Sequence, residues 1–215
     1  MPDEHPAYHL ARELLTHLAP ACDRIHIAGS VRRQKPEPHD IELCCIPSRG
    51  VYEVCDMFGL VSETIQINRL DDLLTTLIHP GGAWQYDTET PRNGEKYKRL
   101  RHAASVICCD LFITDVRRWG YTFTVRTGPA EFSHALVTRA LNQRLFFKDG
   151  LLHGHAPEFE MKQGKREVKP CPLGEACPQI IATPDEPALF AALGLDYIEP
   201  AQRSQADPRT IMQGR

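Results

Sequence analysis

Asp40 and Glu42 stand two residues apart at the start of Asp40-Ile41-Glu42-Leu43-Cys44-Cys45-Ile46, a run that reads as a strand. A strand repeats every two residues, so both carboxylates leave the same face. Two carboxylates on one face repel and raise each other's pKa. A divalent cation relieves that repulsion, and hard oxygen ligands select magnesium or manganese. A third carboxylate, Asp110, sits inside a second apolar run, Val106-Ile107-Cys108-Cys109-Asp110-Leu111-Phe112-Ile113. An ionised group there is costly unless it is paired or bound to metal.

Upstream, Gly29-Ser30-Val31-Arg32-Arg33 supplies a second set of groups. Gly29 lets a phosphate approach the backbone, and Ser30 offers a hydroxyl. A helix starting there has free N–H groups, and Arg32 and Arg33 carry the charge to neutralise phosphate oxygens. Each feature alone is common in solvated turns and strand ends. Together, three carboxylates for two metal ions and a Gly-Ser phosphate loop are the parts that in-line nucleotidyl transfer requires.

Three further groups carry chemistry of a different kind. Lys96, Lys98, Arg99 and Arg101, with Arg126 further along, can track a nucleic-acid backbone, or simply form a charged strand face. Trp119 and Tyr121 can stack on a base or anchor a core. His153, His155, Cys171 and Cys177 have the residue types of a zinc site, although Cys171 and Cys177 are spaced more widely than a Cys-x-x-Cys pair.

The elements that must hold these residues can be read from periodicity. Leu10, Leu14, Leu15 and Leu18 predict a helix over 6–18, and residues 24–28 alternate as a strand. Pro36 and Pro38 make 35–39 a loop before the strand over 40–46. A helix over 71–79 and strands over 96–102 and 105–114 follow. Residues 119–126 have a strand-like composition in a position that suits a helix. Pro129 opens a helix to 143, and Asp149-Gly150 marks a hairpin. Thr183-Pro184-Asp185-Glu186 reads as a capping box, with a helix ending at Gly194. The order mixes strands and helices without regular alternation, which is an α+β pattern.

The chain has 215 residues and a formal net charge of −3, so bulk charge argues against a protein that merely coats nucleic acid. No apolar run has the length of a membrane span, and Met1–His5 lacks the basic start of a secretion signal. Cys44-Cys45 and Cys108-Cys109 point to opposite strand faces and cannot pair with each other. Free buried thiols suit a reducing, cytoplasmic compartment.

These motifs resemble the DNA polymerase beta superfamily, and within it family X. The match is Gly29-Ser30-Val31-Arg32-Arg33, then Asp40-Ile41-Glu42, then Asp110. Arg126-Thr127-Gly128-Pro129-Ala130-Glu131-Phe132 resembles the family's Thr-Gly motif. Leu189-Phe190-Ala191-Ala192-Leu193-Gly194-Leu195-Asp196-Tyr197-Ile198-Glu199-Pro200 resembles its C-terminal ending. The resemblance implies a nucleotidyltransferase palm, a mixed sheet flanked by helices, over 1–125. A small α+β thumb-like subdomain would cover 126–200, with a polar tail over 201–215.

Asp40, Glu42 and Asp110 would be the metal ligands for two magnesium or manganese ions, with Asp110 nearest the attacking 3′-hydroxyl. Gly29, Ser30 and Arg33 would meet the triphosphate, and Thr127 and Gly128 the sugar and base. The implied reaction adds a nucleoside monophosphate from a nucleoside triphosphate to the 3′-hydroxyl of a DNA primer-template, as in repair, and releases pyrophosphate. Departures are Glu42 in place of Asp, Val125-Arg126 in place of an aromatic pair, Ala130 and Ser133 at base-contacting positions, and Cys108 where the family often has Arg. The family's lyase and DNA-gripping domains are not represented, which implies weak, distributive DNA binding. An RNA end, a small molecule or a protein is the alternative acceptor, and a non-catalytic nucleotide- or DNA-binding module is a third reading.

Overall fold

The leucine spacing at Leu10, Leu14 and Leu18 produces α1 (Pro6–Leu18), with His5 Nδ1 accepting the Ala7 N–H at 3.3 Å as its cap. The computed structural model describes residues 5–214. Met1–Glu4, which bear on the secretion-signal argument, and Arg215 of the expected tail lie outside the described residues. After α1 come β1 (Cys22–Ile27), the short α2 (Gly29–Arg32), β2 (Asp40–Pro47), β3 (Arg49–Cys55) and β4 (Val61–Asn68). Then follow α3 (Arg69–Leu77), β5 (Trp84–Tyr86), β6 (Tyr97–His102) and β7 (Cys108–Ile113). α3 begins two residues before its expected start because the Asn68 side chain accepts the Leu70 N–H at 3.1 Å.

Five of these strands form one mixed sheet in the order β1-β2-β7-β6-β5. β2 and β7 are parallel, and the other neighbours are antiparallel. One face is the core: Ile41, Leu43, Cys45, Leu100, Cys109 and Leu111 pack against leucines of α1 and α3. The alternation of strands therefore leaves Asp40, Glu42 and Asp110 on the opposite face. The β3–β4 hairpin pairs within itself and exposes Val51, Tyr52 and Ile65. It was not readable in the sequence because neither of its faces is buried, so the hydrophobic pattern has nothing to record.

The chain divides into two units, Met1–Val31 with Lys35–Asp115, and Arg32–Gln34 with Val116–Arg215. The boundary at 125/126 expected from the sequence thus shifts to 115/116. The cause is α4 (Trp119–Thr127), the ambiguous segment, which is helical and packs with the helix over Glu186–Ala192 of the second unit. Trp119 is buried and stacks near Phe123, and Tyr121 packs against Phe147, so both aromatic rings serve the core.

The second unit continues with α5 (Ala130–Asn142), β8 (Phe146–Lys148), β9 (Leu151–His153), β10 (Phe159–Lys162), β11 (Lys165–Val168), β12 (Ile180–Ile181), α6 (Glu186–Ala192) and α7 (Pro208–Gln213). Asp149 and Gly150 both have positive φ, which makes the β8–β9 connection the tight turn that Asp-Gly favours. Phe132, Leu136, Leu152, Leu189, Phe190 and Ile211 build the core. Residues 201–215 are not simply a polar tail: Arg203 is buried, and Ile211 of α7 packs in this core beside α5.

The capping box also resolves differently. Asp185 caps α6 by accepting the Ala188 N–H at 2.8 Å. Glu186 turns inward and receives Arg32 Nη2 at 2.5 Å and Arg203 Nη1 at 2.7 Å. Among the described residues, no helix is long and apolar enough to cross a membrane.

Burial alone would raise the Glu186 carboxyl, but hydrogen bonds from Arg32 and Arg203 outweigh it and hold the group below the ordinary value. A lowered carboxyl stabilises the fold fully above its unfolded pKa, and the contribution fades as pH falls through the folded value. Glu186→Ala would leave Arg203 buried without its counter-charge and cost about 3–5 kcal/mol. Urea midpoints of the parent and of Glu186→Gln should differ most at neutral pH and converge in acid. Parallel pH profiles would show that this ion pair contributes nothing.

Candidate active site

The site is set by the register of two strands. Glu42 of β2 faces Asp110 of β7, and Asp40 faces Cys108, so three carboxylates share one patch of one sheet face. At the cross-strand spacing of about 5 Å, two like charges cost about 3 kcal/mol at an effective dielectric near 20. Something must offset that repulsion, and for Asp110 the compensating charge lies on the next strand.

Arg99 of β6 is the antiparallel partner of Asp110. Its Nη1 donates to both carboxylate oxygens of Asp110, at 2.9 and 3.2 Å, while its Nε donates to Asp87 at 3.0 Å. Tyr97 donates its hydroxyl to Asp110 at 2.9 Å and stacks on Phe112 with ring centroids 5.2 Å apart. The Tyr97 hydroxyl and, further, the Asp110 carboxylate push the Arg99 guanidinium up, so it stays charged. Burial is the main cause that raises Tyr97, which keeps it a donor. Thr90 is the largest influence lowering the buried Asp87, with the Glu89 N–H and Arg99 adding to it. Cys108 occupies the position where an arginine was expected, and Arg99 reaches Asp110 from the neighbouring strand instead.

The Gly29 turn follows directly from strand pairing. β1 runs antiparallel to β2, so the end of β1 lies beside the start of β2, and the Ala28 N–H donates to the Glu42 carbonyl at 2.7 Å. Gly29 has φ +62°, and a Cβ there would collide with the Glu42 carboxylate. The position therefore excludes side chains twice, by backbone conformation and by contact. The Ser30 hydroxyl is buried and has no hydrogen-bond partner among the described residues. Buried polar groups are nearly always satisfied, so this hydroxyl fits a ligand oxygen.

Other expected site residues are placed differently. Lys98 lies on the core face, buried, with Nζ 3.0 Å from Asp71 and 2.8 Å from Asn93 Oδ1. It does not share a face with Arg99 or Arg101, and it cannot join them along a nucleic-acid backbone. Arg101 pairs with Glu89 at 2.7 Å. Lys96 is exposed, and Arg126 is exposed in the last turn of α4. Within the second unit, Arg33 donates to the Thr127 carbonyl at 2.5 Å and Arg32 to the Thr127 hydroxyl at 2.8 Å. Arg32 also covers the Phe123 ring at 3.9 Å. Thr127 is buried, and at Gly128 a Cβ would press into Phe132.

The four metal-type residues of the second unit do come together. Ligand atoms of His153, His155, Cys171 and Cys177 all lie within 4.8 Å of one another, a group that could hold a metal ion. The carboxylate patch of the first unit offers only oxygen donors, which suits a hard divalent cation. Asp40, Glu42 and Asp110 fit that role: a carboxylate has about four acceptor sites, so Asp110 can keep Arg99 and Tyr97 and still bind a cation. The sequence allowed Asp110 a strand arginine as partner but could not single out Arg99, nor Tyr97 and Asp87, because cross-strand pairing depends on register. The alternation of Tyr97, Arg99 and Arg101 along β6 was the available signal.

No protein-family model matches the sequence, and no curated protein gives a significant match. The family resemblance therefore rests on the motifs quoted above.

The Gly29 geometry makes a direct prediction. Gly29→Ala and Gly81→Ala both place alanine at positive φ, but only Gly29 abuts another side chain, since nothing approaches Gly81 within 4 Å. Positive φ alone costs roughly 1–2 kcal/mol. Chemical denaturation should show Gly29→Ala to be the more destabilised of the two, and equal losses would rule out the close approach of Glu42.

Proposed function

We propose that this chain is a divalent-metal-dependent nucleotidyltransferase resembling a small family X DNA polymerase. It would move a nucleoside monophosphate from a nucleoside triphosphate to a 3′-hydroxyl and release pyrophosphate. The single observation that carries this reading is the β2–β7 register, which gathers Asp40, Glu42 and Asp110 on the sheet face opposite the leucine-lined core. A face with three acids is costly to maintain, and an all-oxygen donor set is the arrangement that magnesium or manganese uses.

Asp40, Glu42 and Asp110 would hold the cations. When bound, these ions acidify the attacking hydroxyl and neutralise charge on the triphosphate. The chain's own groups supply the positioning. Tyr97 and Arg99 fix the orientation of Asp110, the carboxylate assigned to the attacking hydroxyl. The left-handed turn at Gly29 makes room for the Glu42 carboxylate, and the unsatisfied Ser30 hydroxyl would donate to a phosphate oxygen. The 3′-oxygen would release its proton to solvent and bond to the α-phosphorus, while the bond from that phosphorus to the bridging oxygen breaks and pyrophosphate leaves. Thr127 and Gly128 of the second unit remain the residues assigned by resemblance to the sugar and base.

A second reading keeps the chemistry and replaces the DNA acceptor with an RNA end, a small molecule or a protein side chain. It is favoured by the fate of the basic stretch. Lys98, Arg99 and Arg101 are engaged by Asp71, Asp87, Asp110 and Glu89, which reduces the charge that stretch can offer to phosphates.

Labelled nucleoside triphosphates supplied with separate acceptor pools test both readings. Asp40→Ala and Asp110→Ala should each lower incorporation at least about a hundredfold, since several kcal/mol of metal-derived stabilisation is lost. Arg99→Ala should lower it about 10–100-fold and raise the magnesium concentration required, as loss of a ligand-orienting partner does. Undiminished incorporation by Asp110→Ala would overturn the mechanism.

A further inference from the structure

We infer that His153, His155, Cys171 and Cys177 form a closed, four-coordinate zinc site that fastens the 154–180 segment to the three-stranded sheet of the second unit. The site is separate from the carboxylate patch in residue type and in the metal it selects. Two imidazoles and two thiols suit zinc, whereas three carboxylates suit magnesium or manganese.

In an ideal tetrahedron with zinc–sulfur bonds of about 2.3 Å and zinc–nitrogen bonds of about 2.0 Å, ligand atoms sit roughly 3.3–3.8 Å apart. The four side chains already fall within a 4.8 Å envelope. The two cysteines are brought together by a tight turn. The Gly174 N–H donates to the Cys171 carbonyl at 2.9 Å, Gly174 has φ +49°, and the Cys177 N–H donates back to the Gly174 carbonyl at 3.3 Å. That coiling lets a Cys-x5-Cys spacing present both thiols to one point.

Among the described residues from 154 to 180, Cys171 and Cys177 are the only buried positions. The β10–β11 hairpin is almost wholly exposed. The local apolar cluster has just Phe146 beside the two cysteines as fully buried members. So small a core cannot by itself hold a long excursion, and small cores commonly depend on a metal or disulfide staple.

His153 is 1% exposed, and its Nδ1 is buried without a hydrogen-bond partner among the described residues. A buried imidazole with an idle nitrogen is costly, and a cation in the cluster removes that cost. The surroundings also orient the ligands. Phe146 stacks on His153 with centroids 4.7 Å apart and meets the edge of His155 at 5.0 Å. His155 Nδ1 lies 3.2 Å from the Ala156 carbonyl, which leaves Nε2 for the metal in the manner of zinc-bound histidines. Four protein ligands fill the coordination sphere, so the site is structural.

The test uses the full chain, purified without added metal or chelator. Elemental analysis should find roughly one zinc per chain. Thiol alkylation should spare Cys171 and Cys177 until a chelator is added, and trypsin should then cut faster between Lys162 and Lys169. Exchange of zinc for cobalt should give the visible bands of a tetrahedral centre and a thiolate charge-transfer band. That measurement needs no variant and holds even if Cys171→Ser fails to fold. Asp110→Ala protein should retain its zinc, which separates failure of this site from failure of the proposed transfer reaction. Absence of zinc together with a cobalt spectrum lacking thiolate character, or a Cys171–Cys177 disulfide in freshly purified protein, would overturn the proposal.

Discussion

The parallel pairing of β2 with β7 is the constraint on which the rest of the first unit depends. A parallel pair needs a long crossover, and here the crossover carries the β3–β4 hairpin, α3, β5 and β6. Its register sets Glu42 against Asp110 and sends Asp40 to the same face. A slip of one residue would move every carboxylate into the leucine-lined core. Apolar burial of Ile41, Leu43, Cys109 and Leu111 therefore fixes the position of the acids on the other face. The hydrophobic pattern and the candidate chemistry are two sides of one alternation.

Around that patch the fold distributes compensation unevenly. Asp110 receives Arg99 and Tyr97 from the adjacent strand, and Arg99 is shared with Asp87. Glu42 is pressed against a glycine that can bear no side chain. In the second unit the same problem is solved by full burial of a charge pair. Glu186 takes both Arg32 and Arg203, and the energy of that arrangement lies chiefly in what its loss would leave unpaired. The 154–180 segment has only a small core, and the ion pairs that Arg117 and Arg118 make with it end on an exposed Glu175. Its histidines and cysteines converge instead.

Much of this was legible in the sequence, and the failures are physical. The α+β class and strands β2 and β7 were readable because one buried face imposes a strict period. The common face of Asp40 and Glu42 followed from the same period. Two hairpins were missed because an exposed strand has no such period to display. The segment 119–127 carries aromatic and β-branched residues in a helix, so tertiary packing overrode local propensity. Glu186 resembled a capping residue because the cap signature cannot tell a carboxylate that bends back from one that turns inward. Lys98 and Arg99 are adjacent in sequence yet lie on opposite faces of β6, so a basic run in the sequence became a buried ion pair and an acid clamp.

The central claim is that the carboxylate face of the first unit performs nucleotidyl transfer. The most direct measurement is pyrophosphate release from nucleoside triphosphates by the full chain, with pooled DNA, RNA and small-molecule acceptors, with and without magnesium or manganese. The account predicts pyrophosphate formed in step with nucleotide incorporated, only when a divalent cation is present, and stopped by a chelator. Triphosphate binding without pyrophosphate on any acceptor, or release of orthophosphate instead, would contradict it.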